Sequence, residues 1–292
     1  MTLLRSQSDD QKTDKKRATA DFFDVLASPG YGLDSRFFPA MGKRVVEIAD
    51  IQPGHLVLDV AAGRWALLFA AAKKAGPNGE VIGIDLADSM VHETSAEITA
   101  QRMTNCKIVK MDAENLEFPD GLFDRVLCGF ALFFFPNLEG ALAEFRRVMK
   151  LTGRLVVSTF AGGGYPWVWY EDLLNAYGIS SRDKELDSFI TDSLDEPTYL
   201  RAVLERAGFS KVKVAEEEYV DTYPDATNWW DWVWSSSDGA LLQEMNKDQI
   251  ESFKSDAFEY VNASAGTGGF RATYKALIAS GEMVYHDAED VT

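Results

Sequence analysis

The chain has 292 residues, 46% of them hydrophobic, with 29 Lys and Arg against 46 Asp and Glu, a formal net charge of −17. That length fits one large α/β domain with elaborations or two small ones, and such an acidic balance argues against nucleic acid or an anionic membrane as partner while mildly favouring a cationic ligand. The two cysteines, Cys106 and Cys128, cannot build a disulfide framework, no apolar signal-peptide core opens the sequence, and the longest apolar run, 126–136, is too short to span a bilayer, so the expectation is a reduced, cytoplasmic protein.

Residues 6–16 are polar and mixed in charge and read as a frayed start. Phe22, Phe23, Val25 and Leu26 mark one side of a short amphipathic helix over 18–26, ended by Ser28-Pro29-Gly30. Tyr31 and Phe37-Phe38-Pro39 follow, then a second helix over 40–48. From there strands and helices alternate, as a doubly wound sheet requires. Strand one is predicted over 56–60, a helix over 65–75, strand two over 81–85, a helix over 89–104 and strand three over 107–111. Strand four covers 123–130 with an extension to 135, followed by a helix over 138–149 and strand five over 154–160. Gly162-Gly163-Gly164 leads into an aromatic helix with Trp167, Trp169 and Tyr170. A helix over 198–207, strand six over 212–223, a helical insertion over 225–265 and a last strand over 270–278 complete the chain.

The stretch 56–65, Leu-Val-Leu-Asp-Val-Ala-Ala-Gly-Arg-Trp, is a buried strand that stops on a carboxylate and small residues before an Ala-rich helix. Val81-Ile82-Gly83-Ile84-Asp85 also ends on a carboxylate, 26 residues after Asp59, and the third strand runs into Asp112-Ala113-Glu114. Strand, tight turn, helix and parallel strand form a right-handed βαβ unit, and ligands bind outside the carboxyl ends of such strands. Ala61, Ala62 and Gly63 let the backbone approach a ligand closely. Asp85 can accept hydrogen bonds from two vicinal ribose hydroxyls. No G-x-G-x-x-G follows strand one and no Walker lysine occurs, which excludes a phosphate cradle. No His and carboxylate cluster has metal-ligand spacing.

On these residues the chain resembles the class I S-adenosylmethionine-dependent methyltransferases of small-molecule type, related to the ubiquinone-biosynthesis methyltransferases. Their first motif, an acidic residue followed by glycines at alternate positions, is matched by Asp59, Ala61 and Gly63, with Trp65 where the third glycine is expected. The resemblance is strongest over 30–160. It implies an α/β fold: a doubly wound, Rossmann-like, mostly parallel seven-stranded sheet with helices on both faces and a helical cap. Three parts follow, an N-terminal helical arm (1–50), a cofactor-binding core (51–160) and the rest of the sheet with substrate-cap insertions (161–292).

The implied cofactor is S-adenosyl-L-methionine. Asp85 then holds the ribose, the alternative being a helix N-cap that Asp88 can supply instead. Asp112 and Ala113 resemble the adenine site, against the alternative of a solvated turn. Leu86 and Met90 sandwich the adenine or pack in the core. Asp59 contacts the loop backbone or, through water, the cofactor's ammonium, and Phe130 lies beside the amino-acid moiety. The arm covers the cofactor and helps shape the substrate pocket, Tyr31 included, or merely packs on the sheet edge.

Enzymes that methylate nucleobase amines carry an Asp/Asn-Pro-Pro-aromatic tetrapeptide after strand four; this chain has Ala131-Leu132-Phe133-Phe134. Phe133, Trp167, Trp230 and Trp234 suggest a pocket for a lipophilic or aromatic molecule, although a buried helix face gives the same spacing. None of His55, His92 and His286 falls where the substrate should sit, so positioning and desolvation are expected to carry the rate. The expected function is methyl transfer from S-adenosylmethionine to a small, hydrophobic or aromatic metabolite, with neither nucleic acid nor membrane as partner. The alternative is a methyltransferase-fold protein that catalyses a cyclisation or rearrangement, or only binds a ligand. Trp65 motivates it: an indole there swings out of the cleft, fills the space of the cofactor's amino-acid tail, or forms a pocket wall, and some impairment of cofactor binding is expected.

Overall fold

The computed structural model describes residues 2–27, 36–162, 168–179, 194–236 and 238–283. Its helices are α1 (Thr2–Ala27), α2 (Phe37–Ala49), α3 (Leu68–Ala75), α4 (Asp88–Ala100), α5 (Leu138–Val148), α6 (Val168–Ala176), α7 (Pro197–Arg206), α8 (Ala226–Ser235), α9 (Asp238–Leu242) and α10 (Lys247–Ser264). The strands are β1 (Leu56–Val60), β2 (Glu80–Asp85), β3 (Cys106–Lys110), β4 (Phe123–Gly129), β5 (Met149–Phe160), β6 (Phe209–Tyr223) and β7 (Phe270–Met283). They form one sheet in the order β3-β2-β1-β4-β5-β7-β6. The first five are parallel, and β7 runs antiparallel to both β5 and β6. The expected doubly wound α/β fold is therefore present, with its order reversing between β1 and β4, where such sheets open a ligand crevice.

The central strands are apolar on both faces because both are covered. Leu58, Val60, Ile82, Ile84, Val126 and Val157 pack with Leu142 and Phe145 of α5 and Leu200 and Leu204 of α7. Val57, Val81, Leu127 and Val156 face the other way, onto Val45, Val46 and Ala49 of α2 and Leu68, Ala71 and Ala72 of α3. The sides follow from the two-residue period of the strands and the 3.6-residue period of the helices.

A second core lies above the carboxyl edge of the sheet. β5 pairs with β7 only from Ala276 to Glu282, whereas β6 pairs with β7 as far as Phe270. Six residues of the β6–β7 ladder thus run past the end of β5, a reach of roughly 20 Å. On this projecting hairpin sit α6, α8 and α10, packed through Tyr170, Leu174, Trp229, Trp230, Val233, Phe253 and Val261. The insertion expected between the last two strands supplies α8, α9 and α10, and α6, from the segment after β5, joins them in the cap.

Three local expectations differ from the structure. The polar start is not frayed, because residues 2–27 are one continuous helix whose later turns pack on α4. Strand four does not extend to 135: Phe130 takes φ +53°, and Leu132–Phe134 form a 3₁₀ turn that buries Leu132. The helix after β1 begins at Leu68, three residues later than predicted, since the loop first makes a left-handed turn at Trp65. Among the described residues no helix is long and apolar enough to cross a membrane.

One close approach sets the position of α2 over that loop. A Cβ on Gly42 would collide with the carbonyl oxygen of Ala66. The obstacle is backbone and cannot rotate away. Gly42→Ala is therefore expected to lower the unfolding free energy by about 1–3 kcal/mol, read by urea denaturation. An unchanged midpoint would mean that α2 moves off the loop freely.

Candidate functional site

The loop after β1 is left-handed at every second residue: Ala61 (φ +53°), Gly63 (φ +50°) and Trp65 (φ +57°). Each such turn costs an L-residue bearing a Cβ roughly 1–2 kcal/mol, so tertiary bonds must hold it. The Ala62 N–H donates to the Ile84 carbonyl at 2.9 Å. The Gly63 N–H donates to Asp85 Oδ2 at 2.9 Å, and Thr94 Oγ1 of α4 donates to the Gly63 carbonyl at 2.8 Å. Trp65 keeps the backbone shape that a glycine would take. Its ring stacks on Phe69 of α3, with centroids 5.8 Å apart and planes 9° from parallel, and the Arg64 guanidinium lies 4.8 Å from its centroid.

The three carboxylates stand in a row along the carboxyl ends of β1, β2 and β3. Asp59 is buried, 1% exposed, and its Oδ2 has no hydrogen-bond partner. Burial, and secondarily the charge of Asp85, push its pKa well above the usual carboxylate value. Asp85 accepts from Gly63 at Oδ2 and from the Ala87 N–H at Oδ1, 3.0 Å away. Burial raises its pKa too, against the lowering pull of those backbone donors. Asp112 accepts from the Glu114 N–H at 2.9 Å and from Lys16 Nζ of α1 at 2.6 Å. Lys16 also meets Glu114 Oε2 at 2.7 Å. Burial pulls the lysine's pKa down, but its bonds to Asp112 and Glu114 outweigh that and leave it raised.

α1 lies across this row. The Ser89 N–H donates to Asp24 at 2.6 Å, and Arg64 Nη1 donates to the Ala27 carbonyl at 3.1 Å. Ala27 is buried with Ala87 and Met90, and Phe23 meets Phe134 edge-on at 5.2 Å. Met90 is thus enclosed between α1 and α4, while Leu86 is half-buried at the tip of β2. Ala113 is buried in the core beneath the loop that follows β3.

Beyond β4 the edge is aromatic. Phe37, from the first turn of α2, stacks on Tyr274 at 4.9 Å and meets Phe130 at 5.2 Å and Phe160 at 6.1 Å. Phe38 lies 5.6 Å from Phe130, and the half-buried Phe133 lies 6.0 Å from Phe160. Trp230 is instead 5% exposed inside the cap, 6.2 Å from Phe253, 6.3 Å from Phe258 and 6.1 Å from Trp234. Tyr31 and Trp167 lie outside the described residues. A polar group missed from the sequence adjoins the aromatic edge. Asp221 is 2% exposed, with Arg36 at 3.5 Å, and Tyr223 and Tyr274 bring their hydroxyls to 3.4 Å of each other. Burial, helped by Tyr274 and Asp221, raises the Tyr223 phenol's pKa and keeps it protonated. The alternation Tyr219-x-Asp221-x-Tyr223 in β6 was the available signal, since a two-residue period puts all three on one face. Among the described residues no group of three His, Cys, Asp or Glu side chains could hold a metal.

Comparison with known proteins fits this geometry. Residues 40–217 match the ubiE/COQ5 methyltransferase family. The ubiquinone/menaquinone biosynthesis C-methyltransferase of Burkholderia multivorans is 32% identical over 224 residues, 70% of this chain and 88% of that protein. The chain belongs to this family. It is an S-adenosylmethionine-dependent methyltransferase. The aklanonic acid methyltransferase of a Streptomyces strain is 36% identical over 54% of this chain and 73% of its own length. The nocamycin O-methyltransferase of Saccharothrix syringae is 26% identical over 89% and 97%. In fold, the chain is similar to a putative methyltransferase from an antibiotic biosynthesis pathway of Anabaena variabilis, with TM-score 0.57, 16% identity and coverage of 82% and 96%.

The methyltransferase's own donor set fits the cofactor. An unpartnered buried acceptor at Asp59, spare lone pairs on Asp85 and the acceptor Asp112 match a ligand that offers an ammonium, a ribose diol and an adenine amine. Asp85 locks Gly63, and the expectation from the sequence gives it the diol as well. Asp85→Ala should therefore weaken S-adenosylhomocysteine binding by roughly ten- to a hundredfold in titration calorimetry. Unchanged affinity would put the ribose elsewhere.

Asp59 gives a pH prediction. Its folded-state pKa lies above the unfolded one, so the native state holds a proton that the unfolded chain has released, and stability falls as pH rises through the folded value. Asp59→Asn mimics the protonated form. It should raise the apo-enzyme's Tm by at least ~2 °C at pH 8, with the gain fading as pH drops toward the ordinary carboxylate value. A gain that grows on acidification would contradict the assignment.

Proposed function

We propose that this methyltransferase acts on a small, hydrophobic or aromatic metabolite. The observation that carries the reading is the aromatic edge formed by Phe37, Phe38, Phe130, Phe133, Phe160 and Tyr274, which continues from the cofactor row through Phe130. These rings pack against one another, so a guest lying against that edge would meet an apolar, aromatic surface. The net charge of −17 disfavours nucleic acid. The relatives named for aklanonic acid and nocamycin support a small-molecule acceptor.

In this reading residues 1–50 close over the cofactor, 51–160 hold it, and 161–292 shape the acceptor side. Asp85 receives the ribose, Asp112 and Ala113 the adenine edge, and Leu86 and Met90 flank the adenine. Asp59, Ala61, Gly63 and Phe130 bound the methionine part. Phe133, with Trp230 and Trp234 behind it in the cap, belongs to the acceptor side. Once bound, the cofactor supplies an activated methyl group on a sulfonium sulfur. The chain's work is to orient the acceptor in line with that group and to exclude water. Asp221, paired with Arg36, is a buried carboxylate on the strand face that also carries Tyr219 and Tyr223.

A second reading, a rearrangement without methyl transfer, is favoured by Trp65. Against it stands the backbone at Trp65, which follows a glycine-like left-handed path while the ring rests on Phe69. Incubation with S-adenosylmethionine and a panel of polycyclic phenols and aromatic acids decides between them. The expected result is a product heavier by about 14 Da with one S-adenosylhomocysteine released per turnover. A product of unchanged mass, with the cofactor intact, would establish the second reading.

A further inference from the structure

We propose that Trp65 and Arg64 act as one unit, a clasp that ties the end of α1 to the loop after β1 and so slows the escape of the cofactor. The inference rests on the reading in which α1 lies over the cofactor. In it Trp65 is a positioning residue, which acts through Arg64 and need not touch the ligand.

The backbone motivates the proposal. Trp65 sits at φ +57°, a conformation that glycine adopts freely and that strains any residue bearing a Cβ. A side chain kept there must outweigh that strain through its own contacts. The Trp65 ring stacks on Phe69 of the adjoining helix, a local contact. It also lies against the Arg64 guanidinium, whose central carbon is 4.8 Å from the ring centroid.

Arg64 needs that ring. Its side chain is 8% exposed, and its buried Nε–H meets no acceptor. An arginine keeps its charge at any working pH, and a charge taken out of water must be offset by its surroundings. The Ala27 carbonyl lies 3.1 Å from Nη1, and Glu93 Oε2 lies 3.6 Å from it. Glu93 is 42% exposed, so water screens its charge. An aromatic face, by contrast, attracts a guanidinium most strongly where water is excluded.

The guanidinium leads to α1. Ala27 is the last residue of that helix, and the final carbonyls of a helix have no partner within it and lie at the negative end of its dipole. A cation there both bonds and stabilises the helix end. Ala27 is 1% exposed, so the bond is shielded. At its other end the clasp is rooted beside Gly63, which Asp85 and Thr94 bond to β2 and α4. With glycine at position 65 the loop keeps its turn, but Arg64 loses the ring and its hold on Ala27 weakens.

The test uses the full chain and two readouts: hydrogen–deuterium exchange over residues 18–27 without ligand, and the dissociation rate of S-adenosylhomocysteine by surface plasmon resonance. Trp65→Gly and Arg64→Ala should each speed exchange over that stretch and raise the dissociation rate at least about threefold. Trp65→Phe, which keeps an aromatic face, should stay within about twofold of the wild type. The double variant should be no faster than the faster single one, because one unit is lost in either case. Glycine suits the turn at position 65, so Trp65→Gly reads the clasp even if Arg64→Ala folds poorly. Unchanged exchange in Trp65→Gly overturns the clasp, and so does a Trp65→Phe variant as fast as Trp65→Gly. Additive effects in the double variant overturn the joint unit. Tighter S-adenosylhomocysteine binding in Trp65→Gly overturns the proposal as well, since the indole would then obstruct the site. Faster exchange beside an unchanged dissociation rate overturns instead the reading in which α1 lies over the cofactor, and the retention with it.

Discussion

The Gly63 N–H and the Asp85 carboxylate, 2.9 Å apart, tie the loop after β1 to the tip of β2. Much of the cofactor side depends on that bond. It lets the chain turn left-handed at Ala61, Gly63 and Trp65 in succession, a path that local preference opposes at the two residues with a Cβ. The turn in turn delays α3 to Leu68 and brings the Ala66 carbonyl beneath Gly42 of α2. One carboxylate therefore shapes the loop, and its substitution would release Gly63.

The same edge concentrates acid in a buried setting. Asp59 and Asp85 both have their pKa values raised by burial, and the Asp59 oxygen left without a partner costs the apo fold stability. A ligand that brings donors and positive charge relieves that cost. At the neighbouring strand end Lys16 of α1 offsets the charge of Asp112 and Glu114.

The cap is built on a different support. The β6–β7 pair projects past β5 and carries a second core, which Phe37 of α2, Phe130, and Phe160 of β5 join to the rest of the sheet. Its tryptophans divide accordingly. Trp229 and Trp230 are core, and Trp232 and Trp234 are half-buried around them. The aromatic rings at the sheet edge are phenylalanines from α2, the turn after β4, and β5, together with Tyr274 from β7.

By itself the sequence determined the alternation of strands and helices, the three carboxylates at successive strand ends, and the cap as an insertion between the last two strands. Those features rest on local periodicity and on chain order, which a linear pattern carries in full. Only the tertiary structure decided the rest. That residues 2–27 form one helix over the cofactor row depends on Asp112, Ser89 and Arg64, which lie between 37 and 96 positions from their partners in α1. The direction of the Trp65 ring depends on Phe69 and Arg64, and the pairing of Asp221 with Arg36 on β6 and the start of α2 coming together from far apart in sequence. A residue's type tells which bonds it can make. Which partner it meets is settled by the fold, because contacts between distant segments exist only once the sheet has brought them together.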